Sequence, residues 1–191
     1  MTPTEITFEK MDGVGIITMN RPESRNALTL NMVSEMGEAI EACKRPDVRA
    51  VLLTGAGGGF CSGADLKFLL EIQEKGDEKG IQEYITTLAN DLHHKVVIGL
   101  RRLEKPVVAG INGVAAGAGF SLTLGCDIRV AARGARFLMA YANIGAPADG
   151  GSTYLLPRLI GASRAMELYL ASQPTSAQAA LEMGLVNHVV E

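Results

Sequence analysis

VRAVLLTGAGGGFCSGADLK, the stretch at residues 48–67, passes from an apolar run through a glycine-rich loop into a polar segment. Residues 48–54 are short and mainly apolar, which is typical of a buried strand. Residues 55–59 consist of four glycines and one alanine, and FCSGADL follows at 60–66. The order strand, glycine-rich loop, helix predicts an α/β chain.

The same order recurs further along the chain. Residues 106–111 predict a second strand, and a Gly/Ala loop follows at residues 112–119. A helix that begins at such a loop leaves backbone N–H groups without partners, and these groups attract an anion. A dinucleotide site is disfavoured, because Phe60 and Leu122 stand where each loop would need its third glycine.

Two explanations of these loops remain open. The first helical N–H groups, near Ala64 and near Ala118, would stabilise one developing oxyanion. Alternatively, the glycines only permit tight turns and close packing of helix on strand.

The remaining chain continues the alternation of strands and helices. Residues 6–10 and 14–19 flank Asp12-Gly13 and predict a hairpin, and a helix follows that ends before Pro46. We expect one domain, residues 1–191, since no repeat period or linker divides it. Further strands are predicted at residues 128–132, 136–139 and 185–190, with helical patterns up to 103 and at 154–160, 162–171 and 176–183.

Composition limits the class of function. The 18 Lys and Arg against 21 Asp and Glu give a net charge of −3, so nucleic acid is not an expected partner. The three cysteines form no CxxC pair, which disfavours disulfides and a zinc site. No secretory signal begins the chain, so a cytoplasmic location is expected. Residues 106–126 lack charge, but their glycines and Asn112 argue against a membrane span.

Asp149 is the only charged residue between Arg136 and Arg158. A lone carboxylate in apolar surroundings acquires a raised pKa and can transfer protons, but Asp149 could equally cap the following helix. For Asp65 and Asp127 we favour capping or backbone hydrogen bonding. His93 and His94 are predicted on a helix as hydrogen-bonded or solvated side chains, and no spacing indicates a metal site or a GxSxG hydrolase.

Seven ordered motifs together resemble the crotonase family, also called the enoyl-CoA hydratase/isomerase superfamily. They span almost the whole chain, so the resemblance is specific. The matching segments are NRPE at 20–23 with RNAL at 25–28, FCSGADLK at 60–67, KPVVA at 105–109, NGVAAG at 112–117, CDI at 126–128, GGS at 150–152 with LPRLIG at 156–161, and residues 180–186.

The resemblance implies a spiral of repeated ββα units that binds an acyl-CoA thioester, with coenzyme A entering as part of the substrate and no separate cofactor. It implies an oxyanion hole formed by the N–H groups of Ala64 and Ala118. It also implies a contact of Arg25 with the CoA phosphates. The residues expected to line the CoA or acyl site are Arg25, Ala27, Ala64, Asp65, Leu66, Lys67, Ala118 and Tyr141.

Several positions depart from the family's hydratases. Their two glutamates correspond to Ser121 and Tyr141, so hydration of a 2-enoyl-CoA is not expected. Asp149 matches a functional aspartate of the family's isomerases, where it would move a proton, and of its aryl-CoA dehalogenases, where it would attack the ring. His94 matches a histidine base of the dehalogenases, and Tyr141 an aromatic residue of their acyl pocket.

Three hypotheses follow. The first is isomerisation of a double bond with Asp149 as proton shuttle. The second is nucleophilic or hydrolytic chemistry on an aromatic acyl-CoA, and the third is a non-catalytic CoA-binding subunit. The family's usual C-terminal helices, which cover the acyl pocket and support a trimer, are expected to be missing. We expect a homotrimer or a dimer of trimers, whose association is weaker if these helices are absent.

Overall fold

The computed structural model describes residues 4–74 and 76–191. Its α-helices, in chain order, are α1 (Leu30–Ala42), α2 (Leu66–Glu74), α3 (Glu78–Asp91), α4 (Ile98–Arg102), α5 (Ala118–Leu124), α6 (Ser152–Ile160), α7 (Ala162–Ala171) and α8 (Ala177–Glu182). The strands are β1 (Ile6–Met11), β2 (Val14–Met19), β3 (Ala50–Gly55), β4 (Gly59–Cys61), β5 (Val107–Ile111), β6 (Val114–Ala116), β7 (Ile128–Ala132), β8 (Arg136–Leu138), β9 (Thr175–Ser176) and β10 (His188–Val190).

The strands form two sheets. The larger sheet has the order β1-β2-β3-β5-β7-β10, and all of its pairs are parallel except the β1–β2 hairpin. The smaller sheet has the order β4-β6-β8-β9, with only β8 and β9 antiparallel. Because parallel strands need crossover connections, the helices between them cover the sheets. This is the mixed α/β fold that the sequence predicted.

A ββα unit repeats along the chain. The pairs β3–β4, β5–β6 and β7–β8 each place one strand in the larger sheet and the next in the smaller sheet. Helices follow each pair. The repetition predicted through the family resemblance is therefore present, and it aligns the loops after β4 and β6 at one edge.

Helix α1 shows how the core is made. The Thr29 hydroxyl accepts the N–H of Met32 at 3.0 Å and caps the helix. Met32, Met36 and Ile40, which follow a helical period, are fully buried. Each such side chain contributes roughly 1.5–3 kcal/mol of burial free energy.

Three features differ from the sequence prediction. The glycine-rich loops contain the three-residue strands β4 and β6, which are too short and too uniformly buried to show a period. The long helical pattern up to residue 103 divides into α3, a π-helix at Leu92–Val97 and α4. The last strand covers only His188–Val190 instead of 185–190.

Arg129 holds the final segment against β7. Its side chain is buried and donates from Nε to the Leu185 carbonyl and from one terminal nitrogen to the Cys126 carbonyl, both at 2.7 Å. The Asn187 side chain accepts the Arg129 N–H at 2.9 Å. No helix in residues 4–74 and 76–191 combines the length and hydropathy needed to cross a membrane.

Candidate active site

The two glycine-rich loops meet because β4 and β6 are neighbours. Cys61 pairs with Ala115 in parallel register, so both chains leave the smaller sheet at the same edge. A Cβ atom on Gly119 would lie 2.2 Å from the Cys61 carbonyl oxygen, and one on Gly63 would lie 2.9 Å from the Ala116 oxygen. Glycine at both positions therefore allows the two backbones to approach closely.

Each loop presents a backbone N–H that has no acceptor among residues 4–74 and 76–191. Leu28 bridges the first loop, donating to the Gly63 carbonyl at 2.7 Å and accepting the Asp65 N–H at 3.1 Å, which leaves the Ala64 N–H outside this ladder. Ala118 is the first residue of α5, and its N–H has no partner earlier in the helix. Neither N–H donates to an acceptor within the described part of the chain. Two adjacent donors without partners suit a developing oxyanion.

Asp149 does not cap the helix that follows it. Helix α6 begins at Ser152 with Gly151 as its N-cap, and no described side chain caps it. The Asp149 carboxylate instead accepts the Tyr141 hydroxyl at 2.5 Å through Oδ1. The Tyr141 hydroxyl also lies 2.8 Å from the Ser121 hydroxyl.

This array lies against the first turn of α5. Gly150 packs on Ser121 so closely that a Cβ there would lie 2.7 Å from the Ser121 Cβ. Ser121 is three residues after Ala118 and donates its N–H to the Gly117 carbonyl at 3.0 Å. Gly117 has φ of +51° and ψ of −123°, a conformation that favours glycine. The carboxylate and the Ala118 N–H are thus positioned by the same helical turn.

Burial raises the pKa of the Asp149 carboxyl above its ordinary value. The Tyr141 hydrogen bond and the electrostatic interaction with His93 act against burial and lower this pKa. Burial and the nearby Asp149 charge also raise the pKa of Tyr141, so this phenol keeps its proton near neutral pH. The arrangement holds a carboxylate that can take up and return a proton.

The structure brings His93, rather than His94, within electrostatic range of Asp149. His94 lines a groove between α1 and α4 together with Gly37 and Glu38, and its Nδ1 lies 2.9 Å from the Asn90 carbonyl oxygen. The π-helix widens the turn that carries both histidines, so regular α-helical spacing does not give their directions.

The residues expected at the CoA site surround the start of α2. Asp65 accepts the Lys67 N–H at 3.2 Å and pairs with Arg21 at 3.0 Å, which confirms its capping role. Leu66 and Lys67 are exposed, Ala27 is buried, and Arg25 is exposed with φ of +53°. Arg25 lies beside the first loop, because its carbonyl accepts the Ser62 N–H at 3.0 Å.

Asp127 also fulfils its predicted backbone role. Its Oδ2 accepts the Val107 N–H at 2.9 Å, and its Oδ1 lies 3.1 Å from Arg101. The carboxylate therefore joins the start of β5 to the turn before β7.

Asn26 is a site-shaping residue that the sequence analysis did not single out. It is fully buried with φ of +57°, and its Nδ2 contacts the carbonyl oxygens of Ala56, Gly59 and Phe60 at 2.9–3.1 Å. Its Oδ1 accepts the Arg21 N–H at 2.9 Å. The usable signal was its place within RNAL, where a short amide tolerates a left-handed conformation.

Other nucleophiles are less suited to chemistry here. The three cysteines are buried as free thiols, and burial raises the pKa of Cys61 and of Cys126 to about 12. They are therefore protonated and inert at neutral pH. Among residues 4–74 and 76–191, no group of three His, Cys, Asp or Glu side chains is placed to hold a metal ion.

Comparison with known proteins gives the same family that the sequence motifs resemble. Residues 9–191 match the family model for enoyl-CoA hydratase/isomerase. The 1,2-epoxyphenylacetyl-CoA isomerase of Escherichia coli (strain K12) is 41% identical over 94% of this chain and 67% of its own length. The 4-chlorobenzoyl coenzyme A dehalogenase-2 of an Arthrobacter species is 38% identical over 96% of this chain and 65% of its own length.

Solved structures agree. The enoyl-CoA hydratase from Polaromonas sp. JS666 superposes with a TM-score of 0.86 at 36% identity, over 97% of this chain and 70% of that one. The chain spans roughly two thirds of the length of the curated relatives described above. The motifs, the two-sheet fold and these matches together establish that this chain belongs to the enoyl-CoA hydratase/isomerase family, within the crotonase superfamily.

Proposed function

We propose that this chain catalyses migration of a double bond in an acyl-CoA thioester, with Asp149 as the proton shuttle. The observation that carries the proposal is the half-buried Asp149 carboxylate, held beside the turn of α5 that presents the Ala118 N–H. Its Oδ2 accepts no hydrogen bond from the described residues and is available to a substrate.

The chemistry needs one base and one oxyanion site. Asp149 removes a proton from C2 of a 3-enoyl thioester, and the C–H electron pair moves into a dienolate whose charge rests on the thioester oxygen. Neutral Asp149, whose carboxyl proton exchanges with solvent, then delivers a proton to C4. The product is a 2-enoyl thioester, and the carboxylate is regenerated, so the reaction needs no other reactant.

The two unpaired N–H groups would receive the thioester oxygen. Donors held in place before reaction stabilise the developing charge without reorganisation, and the loss of one typically reduces turnover about 10²–10³-fold. Ala64 and Ala118 have small side chains, which allows a carbonyl oxygen to reach the backbone.

Residue types around the site support proton transfer over hydration. By the family resemblance, Ser121 and Tyr141 stand at the two positions at which hydratases carry glutamates, and neither provides a carboxylate to activate water. The similarity to a protein named 1,2-epoxyphenylacetyl-CoA isomerase also supports an isomerisation. Arg25, Ala27, Leu66 and Lys67, close to Ala64, would contact the CoA portion.

The test is incubation with saturated, 2-enoyl, 3-enoyl and aryl acyl-CoA thioesters in heavy water, followed by mass spectrometry. We expect deuterium uptake and a shift of the double bond from the 3-enoyl substrate. Asp149→Asn is expected to reduce both by about 10²–10⁴-fold. Asp91→Asn, which removes a surface carboxylate paired with Lys95, serves as the matched control and should leave both rates unchanged. Equal rates in wild type and Asp149→Asn would contradict the proposal.

A second function is supported by the available Oδ2 atom and by the match to a 4-chlorobenzoyl coenzyme A dehalogenase. Here Oδ2 would bond to the ring carbon that bears chlorine, chloride would leave, and water would then hydrolyse the aryl ester to restore Asp149. A covalent adduct on Asp149, detected by intact mass with an aryl substrate, would favour this function over isomerisation. Bound thioester with neither deuterium uptake nor adduct would instead favour a non-catalytic CoA-binding role.

A further inference from the structure

Ser121, Tyr141 and Asp149 form one continuous hydrogen-bonded series. We propose that Tyr141 is a positioning residue that fixes Asp149 by its Oδ1, and that Ser121 in turn fixes the Tyr141 hydroxyl. This inference rests on the proposed function, because it assigns the supporting residues of the same proton shuttle. It gives a role to the two side chains that replace the hydratase glutamates.

The geometry distinguishes the two carboxylate oxygens of Asp149. Oδ1 accepts the Tyr141 hydroxyl at 2.5 Å, whereas no described residue donates to Oδ2. A phenol that donates to one oxygen stabilises the anion and prevents the carboxyl group from rotating. The proton is therefore taken up and returned by Oδ2, from a single direction.

Ser121 fixes the direction of the phenol. Tyr141 has one hydroxyl proton and donates it to Asp149, so its oxygen is an acceptor for the Ser121 hydroxyl. The Ser121 hydroxyl lies 2.8 Å from this oxygen and 3.3 Å from the Gly117 carbonyl oxygen, so the phenol is the nearer of its two acceptors. Ser121 is fully buried, lies on α5, and has Gly150 packed against its Cβ. The series thus connects the carboxylate to the helix that begins with the oxyanion donor Ala118, and it keeps their separation constant.

Among the described residues, two titratable side chains interact with Asp149. Tyr141, in the 3-10 helix at Ala140–Ile144, donates a hydrogen bond to it, and His93, in the π-helix, interacts with it through electrostatics alone. Both lower the pKa of Asp149, in opposition to burial. Removing the phenol hydroxyl must therefore raise the pKa of Asp149. Since proton abstraction requires the ionised carboxylate, the acidic limb of the rate profile should move to higher pH.

The first variant is Tyr141→Phe, which keeps the buried ring and removes only the hydroxyl. We expect kcat at pH 7 to fall about tenfold or more with little change in KM, and the acidic limb to move upward. Tyr169→Phe is the matched control, because Tyr169 donates its hydroxyl to the Ala146 carbonyl at 3.0 Å and does not contact Asp149. It should leave kcat and the limb unchanged. Tyr141→Phe should also move the acidic limb to higher pH in a His93→Gln background, which removes the other titratable neighbour.

The second variant is Ser121→Ala. It should reduce kcat by a smaller factor than Tyr141→Phe and move the limb in the same direction. Thr123→Ala, also on α5, removes a buried hydroxyl that donates to the Phe120 carbonyl at 2.7 Å. This control should lower stability without moving the limb. Because Ser121→Ala keeps the Cβ against which Gly150 packs, a movement of the limb reports the lost hydroxyl and not lost packing.

A measurement independent of turnover separates this inference from the proposed function. The pKa of Asp149 is followed by carboxyl-carbon NMR in wild type, Tyr141→Phe and Tyr169→Phe, with Asp149→Asn to assign the resonance. A higher pKa in Tyr141→Phe alone supports the inference, even if no acyl-CoA exchanges deuterium and the isomerase proposal fails. The same pKa in wild type and Tyr141→Phe would overturn the inference, even if Asp149 proves essential for turnover.

Discussion

Helices α5 and α2 each follow one of the two loops that contain a candidate oxyanion donor, but they bury their side chains very differently. All seven residues of α5 are buried, and Gly119 touches the neighbouring loop through its backbone. None of the nine described residues of α2 is buried, and Leu66, Phe68 and Leu70 are between 42% and 57% exposed.

The contrast separates two tasks. The α5 side carries Ala118 and Ser121, whose positions must be fixed to a fraction of an ångström for catalysis, and tight packing provides that precision. The α2 side is anchored mainly at its first turn by Asp65 and leaves an apolar surface exposed. We therefore expect α5 to determine the chemistry and α2 to determine which acyl chains are accepted. Three substitutions test this division.

The largest effect should follow from Gly119→Ala in α5. The added methyl would lie 2.2 Å from the Cys61 oxygen, and backbone atoms on both sides prevent relaxation. We expect a loss of about 3 kcal/mol or more in the free energy of unfolding, measured by urea denaturation. Gly134→Ala is the control, since nothing lies within 4 Å of its added methyl. Equal stability of the two variants would remove the distinction between the loops and the rest of the chain.

An intermediate effect is expected from Asp65→Ala at the start of α2. The change removes the cap at Lys67 and the ion pair with Arg21, although Arg21 keeps its contacts with Glu5 and the Ala27 carbonyl. Stability should decrease by about 1–2 kcal/mol, and KM for acyl-CoA should rise more than kcat falls.

The comparison for this variant is Asp77→Ala, at the exposed N-cap of α3. Its carboxylate accepts the Gly80 N–H at 2.9 Å. This substitution should lower stability by about 0.5–1 kcal/mol and leave KM unchanged. A KM increase in Asp77→Ala as large as that in Asp65→Ala would show that α2 is not anchored specifically at Asp65.

The smallest effect on stability should come from Leu70→Ala in α2. Because Leu70 is 57% exposed, the free energy of unfolding should change by no more than about 0.5 kcal/mol. The ratio of turnover for long and short acyl chains should nevertheless decrease. Leu122 in α5 is fully buried, so Leu122→Ala should instead lower the free energy of unfolding by about 2–5 kcal/mol. An unchanged chain-length ratio in Leu70→Ala would contradict the role given to α2.

Much of this site could be predicted from sequence because its main signals are local. Glycine spacing after a strand predicted candidate donors near Ala64 and near Ala118, and the isolation of Asp149 among apolar residues marked it as a candidate base. The family resemblance supplied the fold. Each of these signals depends on a few neighbouring residues, so a single sequence contains it.

Other features depend on contacts between distant segments. The hydrogen bond from Tyr141 to Asp149 requires a 3-10 helix and a left-handed Gly145 between them. The direction of His93 depends on the π-helix, and the role of Asn26 depends on carbonyl groups about thirty residues away. No local period records such contacts, and strands of three residues are too short to show one.

The strands of the larger sheet lie in the order in which they occur in the chain, β1-β2-β3-β5-β7-β10. Each strand after the first can therefore add to an edge that is already formed as the chain leaves the ribosome. The strands β4 and β6, which precede Ala64 and Ala118, are synthesised before Asp149. Protein synthesis would thus produce the candidate anion-binding half of the site first and the candidate proton-transferring half later.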